Sequence, residues 1–159
     1  MSGGLIPAIF RADADRIALI ADSYAHLLGR PLVAEGSDVV AALWTAPLAI
    51  VAHGTEADPV FFFGNLAALA AFELPLERFI GMPSRFSAEP DERSARQALL
   101  DRVSSHGFID DYTGVRISGS GRRFTISDAA VWNLVDVHGA VHGQAAAFVP
   151  PDAMVNATG

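Results

Sequence analysis

With 159 residues, 51% of them hydrophobic, the chain is long enough for one domain with a substantial core and too short for two ordinary ones. Its net charge of −7, from 11 basic and 18 acidic residues, disfavours a nucleic-acid partner, because affinity for a phosphate backbone depends on clustered cations. The longest apolar stretch, residues 39–52, is too short to span a bilayer, so no membrane partner is expected, and the lack of cysteine excludes disulfides and thiolate chemistry.

The first 46 residues are predicted to form a helical extension. Residues 1–11 are short and mixed in composition, which predicts a mobile start. Residues 13–28 carry apolar side chains at helical spacing, followed by a glycine and a proline as stop signals, and predict an amphipathic helix. A second, shorter helix is expected to begin at Ser37, a good cap residue, and to end before Pro47.

The middle of the chain combines short apolar strands with short helices. Residues 48–51 and 60–63 are apolar runs separated by turn-forming residues, and they predict a β-hairpin. Residues 66–72 are rich in alanine and follow Asn65, a good N-cap, which predicts a helix. Residues 76–80 are expected to form a further helical turn.

A longer helix and three strands are predicted for the rest of the domain. The helix opens at residues 89–92, whose acidic side chains suit a first turn, and it ends at Gly107. Beyond it, apolar and polar residues alternate, which predicts strands joined by turns at residues 119–121 and 136–139. This order of elements predicts an α+β fold, a five-stranded antiparallel sheet with helices on one face and the N-terminal helical extension added to it.

A series of short motifs runs along most of the chain in a characteristic order. The longest is the run Gly107 to Ser118, followed by Gly121 to Phe124 and Val131 to Leu134. The others, in chain order, are His53-Gly54, Asp58-Pro59, Gly64-Asn65, Phe72-Glu73, Pro83-Ser84-Arg85, Ala88-Glu89-Pro90, and His142 to Ala146 with Phe148. Together they resemble the MEKHLA domain family, which is similar to the PAS sensor fold.

The resemblance implies a division of the chain and a class of function. Residues 47–150 would form the PAS-like MEKHLA core, after the extension of residues 1–46, and residues 151–159 a flexible tail. The family is also found as the C-terminal domain of plant homeodomain-leucine zipper transcription factors, where it is thought to sense a signal or mediate partner contacts. No homeodomain, sustained heptad pattern or signal peptide precedes it here, so we expect a stand-alone bacterial module in the cytoplasm, acting as a homodimer or through a partner.

Two departures from the family pattern bear on the expected pocket. Ala52 stands where the family more often has serine, and Phe63 where it often has tyrosine. Both changes are expected to remove a hydroxyl group from the pocket side of the sheet.

Residues 79–86 resemble the flavin-binding segment of light-oxygen-voltage domains, with Ser84 in the place of the photoactive cysteine. Serine cannot form the thiol adduct, so photochemistry through a cysteine adduct is excluded, whereas flavin or haem as a cofactor stays open. The neighbouring Arg85 is suited to hold an anionic group such as a phosphate or carboxylate.

Eight side chains are predicted to contact a small-molecule ligand. Each offers a polar or aromatic group in an otherwise apolar setting, as ligand pockets require. They are His53, Asn65, Ser84, Arg85, Tyr112, Arg116, Trp132 and Gln144. Among them, His53 could alternatively ligate a haem iron or bond only to a neighbouring carbonyl, and Asn65 could serve only as a helix cap. Trp132 and Arg116 likewise have structural alternatives, core packing and pairing with an aspartate.

No metal site and no catalytic set is predicted. His138 and His142 are four residues apart, a metal-ligand spacing on a helix, but a glycine after each indicates a turn and a strand instead. Asp110 and Asp111 would point to opposite faces of a strand, which disfavours a paired acid and base. No serine lies in a nucleophile-elbow motif.

Three functions remain open from the sequence. The leading hypothesis is a sensor that binds a small apolar or aromatic molecule between the sheet and its helices. The second is an interaction module, in which the sheet and the N-terminal helix bury their apolar faces in a homodimer or a partner; a core without a cavity would favour it. The third is a small enzyme that uses His53 or an aspartate as acid or base. No sequence motif supports this hypothesis.

Overall fold

The computed structural model describes residues 6–34, 36, 38–87 and 93–151. Helices lie at Ala8–Ala12 (α1), Ala14–Leu28 (α2), Val39–Trp44 (α3), Leu66–Phe72 (α4), Leu76–Phe79 (α5) and Arg93–His106 (α6), with a 3-10 turn at Ser84–Ser87. Strands lie at Ala49–His53 (β1), Phe61–Gly64 (β2), Phe108–Ile117 (β3), Arg123–Val135 (β4) and Val141–Phe148 (β5).

The five strands form one antiparallel sheet in the order β2-β1-β5-β4-β3. The predicted α+β class and five-stranded antiparallel sheet are confirmed. The first and last strands meet in the middle of the sheet, where Ala52 pairs with Ala145 and Val51 with Ala146. The chain therefore closes its sheet only after β5 has formed, through contacts between residues more than 90 positions apart.

The N-terminal extension covers one face of the sheet, which we call the outer face. Ile17 and Ile20 of α2 are fully buried against it. The indole Nε1 of Trp132 donates a hydrogen bond to the carbonyl oxygen of Ile20 at 3.0 Å, and the backbone N–H of Val135 donates to Ser23 Oγ at 2.9 Å. Helices thus lie on both faces, because the apolar stripe of α2 packs on its own sheet.

Residues 8–12 are helical and form α1, although the sequence predicts a mobile segment there. The side chain of Phe10 is fully buried, with its ring 5.6 Å from that of Trp44 and 4.8 Å from that of Phe63. This aromatic contact, made with residues far along the chain, holds the short helix in place.

The opposite, inner face of the sheet is covered by α4, α5, the 3-10 turn and α6, which together we call the helical bracket. Asn65 caps α4 as predicted, accepting from the backbone N–H of Ala68 at 3.0 Å. The rings of Phe61 and Phe79 stack at 4.3 Å. Backbone hydrogen bonds between Phe61 and residues 81 and 82 tie the bracket to the edge strand β2.

Some predicted features lie outside the described residues. These are the cap at Ser37, the acidic opening of the long helix at residues 89–92, and nearly all of the tail, residues 152–159. Within the described part, α3 is capped by Asp38, whose carboxylate accepts from the backbone N–H of Ala41. In that same part of the chain, no helix is both long enough and apolar enough to cross a membrane.

The turn between β4 and β5 is organised by Asp136. Its Oδ1 accepts from the backbone N–H groups of His138 at 2.8 Å and Ala140 at 3.0 Å. Its Oδ2 lies 2.8 Å from Nε2 of His142. The hydrogen bond from His142, followed by those from the backbone, lowers the pKa of Asp136 from 3.8 to about 2. His142 is therefore paired with a carboxylate instead of facing His138 across a metal site.

Replacement of Asp136 by asparagine is expected to lower the melting temperature fully above about pH 4 and by progressively less as pH falls toward 2. Because the folded-state pKa of Asp136 lies below its unfolded value, its contribution is complete above the unfolded pKa and is lost as pH falls through the folded pKa of about 2. Thermal unfolding between pH 2 and 6 measures the difference between the two proteins. Asp110→Asn, at an exposed carboxylate of β3, is the control, and a pH-independent difference for Asp136→Asn would contradict the assignment.

Candidate functional site

A cavity of about 60 Å³ lies between the inner face of the sheet and the helical bracket. It is lined by Val51, His53, Phe61, Phe72, Ser84, Ser87, Leu99, Tyr112, Arg116, Ile126, Val131, Gln144, Ala145, Ala146 and Phe148. Every strand of the sheet contributes to this lining, and α4, the 3-10 turn and α6 close it from the other side.

Most of the cavity wall is apolar. The ring of Phe72, at the end of α4, packs edge-on against Phe124 at 5.3 Å and Phe148 at 6.3 Å. Ile126 and Val131 extend the same surface along β4. They are five residues apart, so regular alternation would place them on opposite faces, and the irregular β3–β4 pairing around Asp128, whose φ is +54°, brings both to the inner side. Such a wall favours the hydrocarbon part of a ligand.

Five of the eight predicted ligand-binding residues line the cavity: His53, Ser84, Tyr112, Arg116 and Gln144. Two of them come from β3, where Tyr112, Gly114 and Arg116 alternate on the inner face. Arg116 lies opposite Phe124 in the β3–β4 register. A Cβ on Gly114 would lie 2.1 Å from the hydroxyl oxygen of Tyr112, so the absence of a side chain there makes room for the tyrosine.

Arg116 is the buried cation of this site, with 9% of its surface exposed. Its Nη1 donates a hydrogen bond to the carbonyl oxygen of Val115 at 3.0 Å, and its guanidinium carbon lies 5.2 Å from the centre of the Tyr112 ring. The predicted alternative, pairing with Asp110 or Asp111, is not observed, and both of these carboxylates are exposed.

His53 stands at the end of β1, where the cavity meets a second, more open depression of about 300 Å³. Its Nδ1 lies 3.0 Å from the carbonyl oxygen of Gly54. Since a carbonyl can only accept, Nδ1 carries the proton of this bond. The hydrogen bond to this backbone carbonyl holds the imidazole ring at the boundary between the cavity and the second, more open depression.

Gln144 forms the other part of that boundary. Its Nε2 donates to Oδ1 of Asn133 at 3.0 Å and lies 3.4 Å from Oγ of Ser104. Asn133 in turn donates to the carbonyl oxygen of Val103 at 3.2 Å. This chain of buried amides links β5 and β4 to α6, so a ligand that moves Gln144 would act on the helix.

Ser84 and Ser87 bring the 3-10 turn to the cavity. Both side chains are buried, and Ser87 Oγ donates to the carbonyl oxygen of Ser84 at 2.7 Å. The backbone N–H of Ser84 donates to the carbonyl oxygen of Pro59 at 2.8 Å, which anchors the turn beside β2.

Three predicted ligand-binding residues lie away from the cavity. Asn65 is fully buried, and its amide is used by four protein hydrogen bonds. The guanidinium of Arg85 points outward and pairs with Asp58 at 3.1 Å. Trp132 faces the outer side of the sheet, 4.8 Å from the ring of Tyr24, since its neighbour Val131 takes the inner position.

The prediction that Ala52 and Phe63 remove hydroxyl groups from the pocket is wrong. Ala52 and Phe63 are fully buried in the core between the sheet and the N-terminal helices. They therefore lie on the outer side, and the family departures at these positions do not change the cavity.

Other lining residues were not identified from the sequence. In the sequence, Phe72 and Phe148 are recognisable only as parts of family motifs, and Ile126 only as part of a predicted strand. Asn133, which bonds Gln144 and lines the second depression, does carry a usable signal: it is a polar residue within the apolar run of β4, two positions after Val131 and so on the same side of the strand. Ser87 offered no such signal, because serine in a short connecting segment is common.

The groups that line the cavity are of the kind that small-molecule pockets contain. Among the described residues that line the cavity there is no carboxylate, so none of the described aspartates is placed there as the acid or base of the enzyme hypothesis. Within the described residues, no three His, Asp or Glu side chains are grouped so that they could hold a metal ion. An apolar wall, one buried guanidinium and a few hydroxyl and amide groups can bind and orient a small molecule.

Comparison with known families and structures gives a consistent result. The family model described as the MEKHLA domain matches residues 14–150. No curated protein matches the chain. A PAS domain from Colwellia psychrerythraea is similar in structure, with a TM-score of 0.57 and 15% identity over 67% of this chain and 88% of that one.

Two light-oxygen-voltage domains are also similar. One, a domain described with a flavin analogue, has a TM-score of 0.56 and 20% identity over 77% of this chain and 94% of its own. The other is the dark structure of the blue-light photoreceptor Aureochrome1 domain, with a TM-score of 0.57 and 17% identity over 81% and 97%. At these identities the similarity establishes the fold.

Proposed function

This chain belongs to the MEKHLA domain family, and from its PAS-like fold and its inner cavity we propose that it is a sensory module that binds a small, largely apolar molecule. The observation that carries the proposal is the cavity itself. A pure interaction module has no need of a void, and closely packed interiors contain few.

The position of the cavity also supports sensing. It lies between the sheet and the helical bracket, so a ligand there would contact both layers. Its walls include Ser87 of the 3-10 turn and Leu99 of α6, and Gln144 is bonded to the amide chain that reaches α6. Binding would shift the bracket toward one of two populations and so change the surface that it presents.

The volume favours a small ligand. At roughly 10–15 Å³ for each water-sized site, a cavity of about 60 Å³ holds about four to six such sites. This is well below the roughly 150 Å³ of an engineered cavity that takes up benzene. Flavin, haem or an aromatic acid would enter only if the bracket opened. Of the apolar and aromatic ligands that the sequence left open, we therefore favour a small one with few atoms and no aromatic ring.

Homodimer formation and a cytoplasmic location stay predictions. The surface first considered for a dimer, the apolar faces of α2 and of the sheet, is buried within this chain. A dimer would therefore use another surface. Mass spectrometry under native and then denaturing conditions measures the oligomeric state and any co-purified ligand together.

Filling the cavity is expected to abolish ligand binding without loss of stability. In Ala146→Val, two added methyl groups would occupy space beside Val131, and valine suits a strand. Thermal shift with a library of small acids, amides and alcohols, together with flavin and haem, should show a gain in melting temperature for the natural protein and none for the variant.

The matched control is Ala140→Val, the same change at an exposed turn position. It should respond to ligand as the natural protein does. If no compound stabilises the natural protein, or if Ala146→Val responds equally well, the cavity is not a ligand site.

A further inference from the structure

Arg116 differs from the arginines that form ion pairs in the described part of the chain. Arg11, Arg16, Arg85 and Arg122 each form an ion pair with a carboxylate at the surface. Arg116 is the buried one, and among the described residues no carboxylate pairs with it. The least solvated of these cations is thus the one without an anion.

This arrangement leaves binding capacity at the cavity. A guanidinium has five N–H donors, and one of them is used by the carbonyl oxygen of Val115. The ring of Tyr112 adds a cation–π contact at 5.2 Å but accepts no conventional hydrogen bond through its face. A buried charge is costly unless it is paired, so an anion in the cavity would be bound strongly.

The remaining walls limit the kind of anion. The lining that Arg116 shares also contains hydrocarbon surfaces, those of Phe72, Ile126 and Phe148. A phosphate or sulfate has oxygen on every side, so some of its oxygens would face these hydrocarbon surfaces even if others received hydrogen bonds from the polar side chains of the lining. A carboxylate with a short alkyl group matches both parts, since it presents two oxygens on one side and hydrocarbon on the other.

Resting on the proposed function, we propose that the ligand is a short-chain monocarboxylate whose two oxygens accept hydrogen bonds from Arg116 while its alkyl group packs on the apolar wall. The volume of about 60 Å³ sets the size at about four to six non-hydrogen atoms, the range from acetate to butyrate. Arg116 would then bind the anionic group that the sequence analysis expected Arg85 to hold.

Calorimetric titration of the purified full chain tests this proposal. Acetate, propionate and butyrate are the probes; propionamide, of the same shape without the charge, and inorganic phosphate are the comparisons. We expect a monocarboxylate to bind more tightly than propionamide or phosphate. Arg116→Met should weaken monocarboxylate binding about 30-fold or more, because the anion would lose its buried partner.

Arg85→Met is the matched control, because this arginine pairs with Asp58 outside the cavity. It should leave monocarboxylate binding within about twofold of the natural protein, since an exposed ion pair has little effect. Arg116→Lys, which keeps the charge but not the planar fork, should bind more weakly than the natural protein and more tightly than Arg116→Met.

The stability of the ligand-free proteins provides a second readout. If Arg116 serves a ligand, Arg116→Met without ligand should melt at the same temperature as the natural protein or higher, since the variant removes an unpaired buried charge. A clear fall in melting temperature would assign Arg116 a structural role and overturn the proposal.

The outcomes separate this proposal from the function on which it rests. Equal affinity of the natural protein for propionate and propionamide would overturn the anion assignment while the cavity remains a ligand site. Tighter binding of phosphate than of any monocarboxylate would overturn the choice of carboxylate. Absence of binding by every probe, together with no stabilisation in the wider compound library, would overturn both. These comparisons use the natural protein, so they hold even if Arg116→Met does not fold.

Discussion

Asn65→Ala is expected to lower the free energy of unfolding by about 3–5 kcal/mol, because it removes four side-chain hydrogen bonds to the backbone, three of them buried. The Asn65 Oδ1 accepts from the N–H groups of Ile50 and Ala68, each at 3.0 Å. Its Nδ2 donates to the carbonyl oxygens of Leu43 at 2.9 Å and Leu48 at 2.8 Å. One fully buried amide therefore joins α3, β1 and α4.

Urea denaturation of the natural protein and the variant measures this loss. Asn65→Asp should be at least as damaging, because a carboxylate oxygen would replace the amide nitrogen that now faces two carbonyl oxygens. The control is Gln97→Ala, which removes an exposed amide that donates to Asp101 and should change stability by less than about 0.5 kcal/mol. A loss below about 1 kcal/mol for Asn65→Ala would show that the side chain is not the hub that its contacts indicate.

Gly143→Ala is expected to destabilise the protein by about 3 kcal/mol or more. The φ angle of Gly143 is +147°, a backbone conformation that residues with a Cβ rarely adopt. A Cβ at this position would also lie 2.0 Å from the carbonyl oxygen of His53, which is backbone and cannot rotate away. The strands β1 and β5 would have to separate at the point where His53 and Gln144 form the edge of the cavity.

Thermal and urea unfolding compare Gly143→Ala with Gly139→Ala. Gly139 also has a positive φ, +84°, but nothing lies within 4 Å of the Cβ that alanine would add. The control therefore measures backbone strain without the clash, about 1–2 kcal/mol. Equal effects of the two substitutions would show that β1 and β5 adjust to the added atom. The larger expected effect of Gly143→Ala should be accompanied by weaker ligand binding.

Local patterns in the sequence are enough for most of the elements. The strands at residues 108–117 and 123–135, the cap at Asn65 and the end of α6 at Gly107 follow from alternation, capping chemistry and glycine, which act over a few residues. The family motifs allow the whole fold to be predicted, because they follow one another in the same order as the helices and strands. Each of these signals depends only on neighbouring residues, so it can be recognised without knowledge of the tertiary structure.

The burial of α1 could not be predicted in the same way. Residues 8–12 are too few for a stable helix in isolation. They are helical because Phe10 packs against Trp44 and Phe63, residues that only the folded sheet brings near it. The covering of the outer face by α2 has the same origin, since both faces of a mostly apolar sheet look alike in the sequence.

The composition of the cavity depends on contacts between distant residues. Val131 and Trp132 are adjacent in β4, and both are apolar. Because neighbouring residues of a strand face opposite sides, Val131 lines the cavity and Trp132 packs in the core beneath the N-terminal helices. Arg85 and Arg116 carry the same guanidinium group. Arg85 meets Asp58, 27 positions away, at the surface, whereas the bracket buries Arg116 with no carboxylate beside it among the described residues. Residue type and spacing revealed the elements and the candidate polar groups, whereas long-range packing selected which of those groups face the cavity.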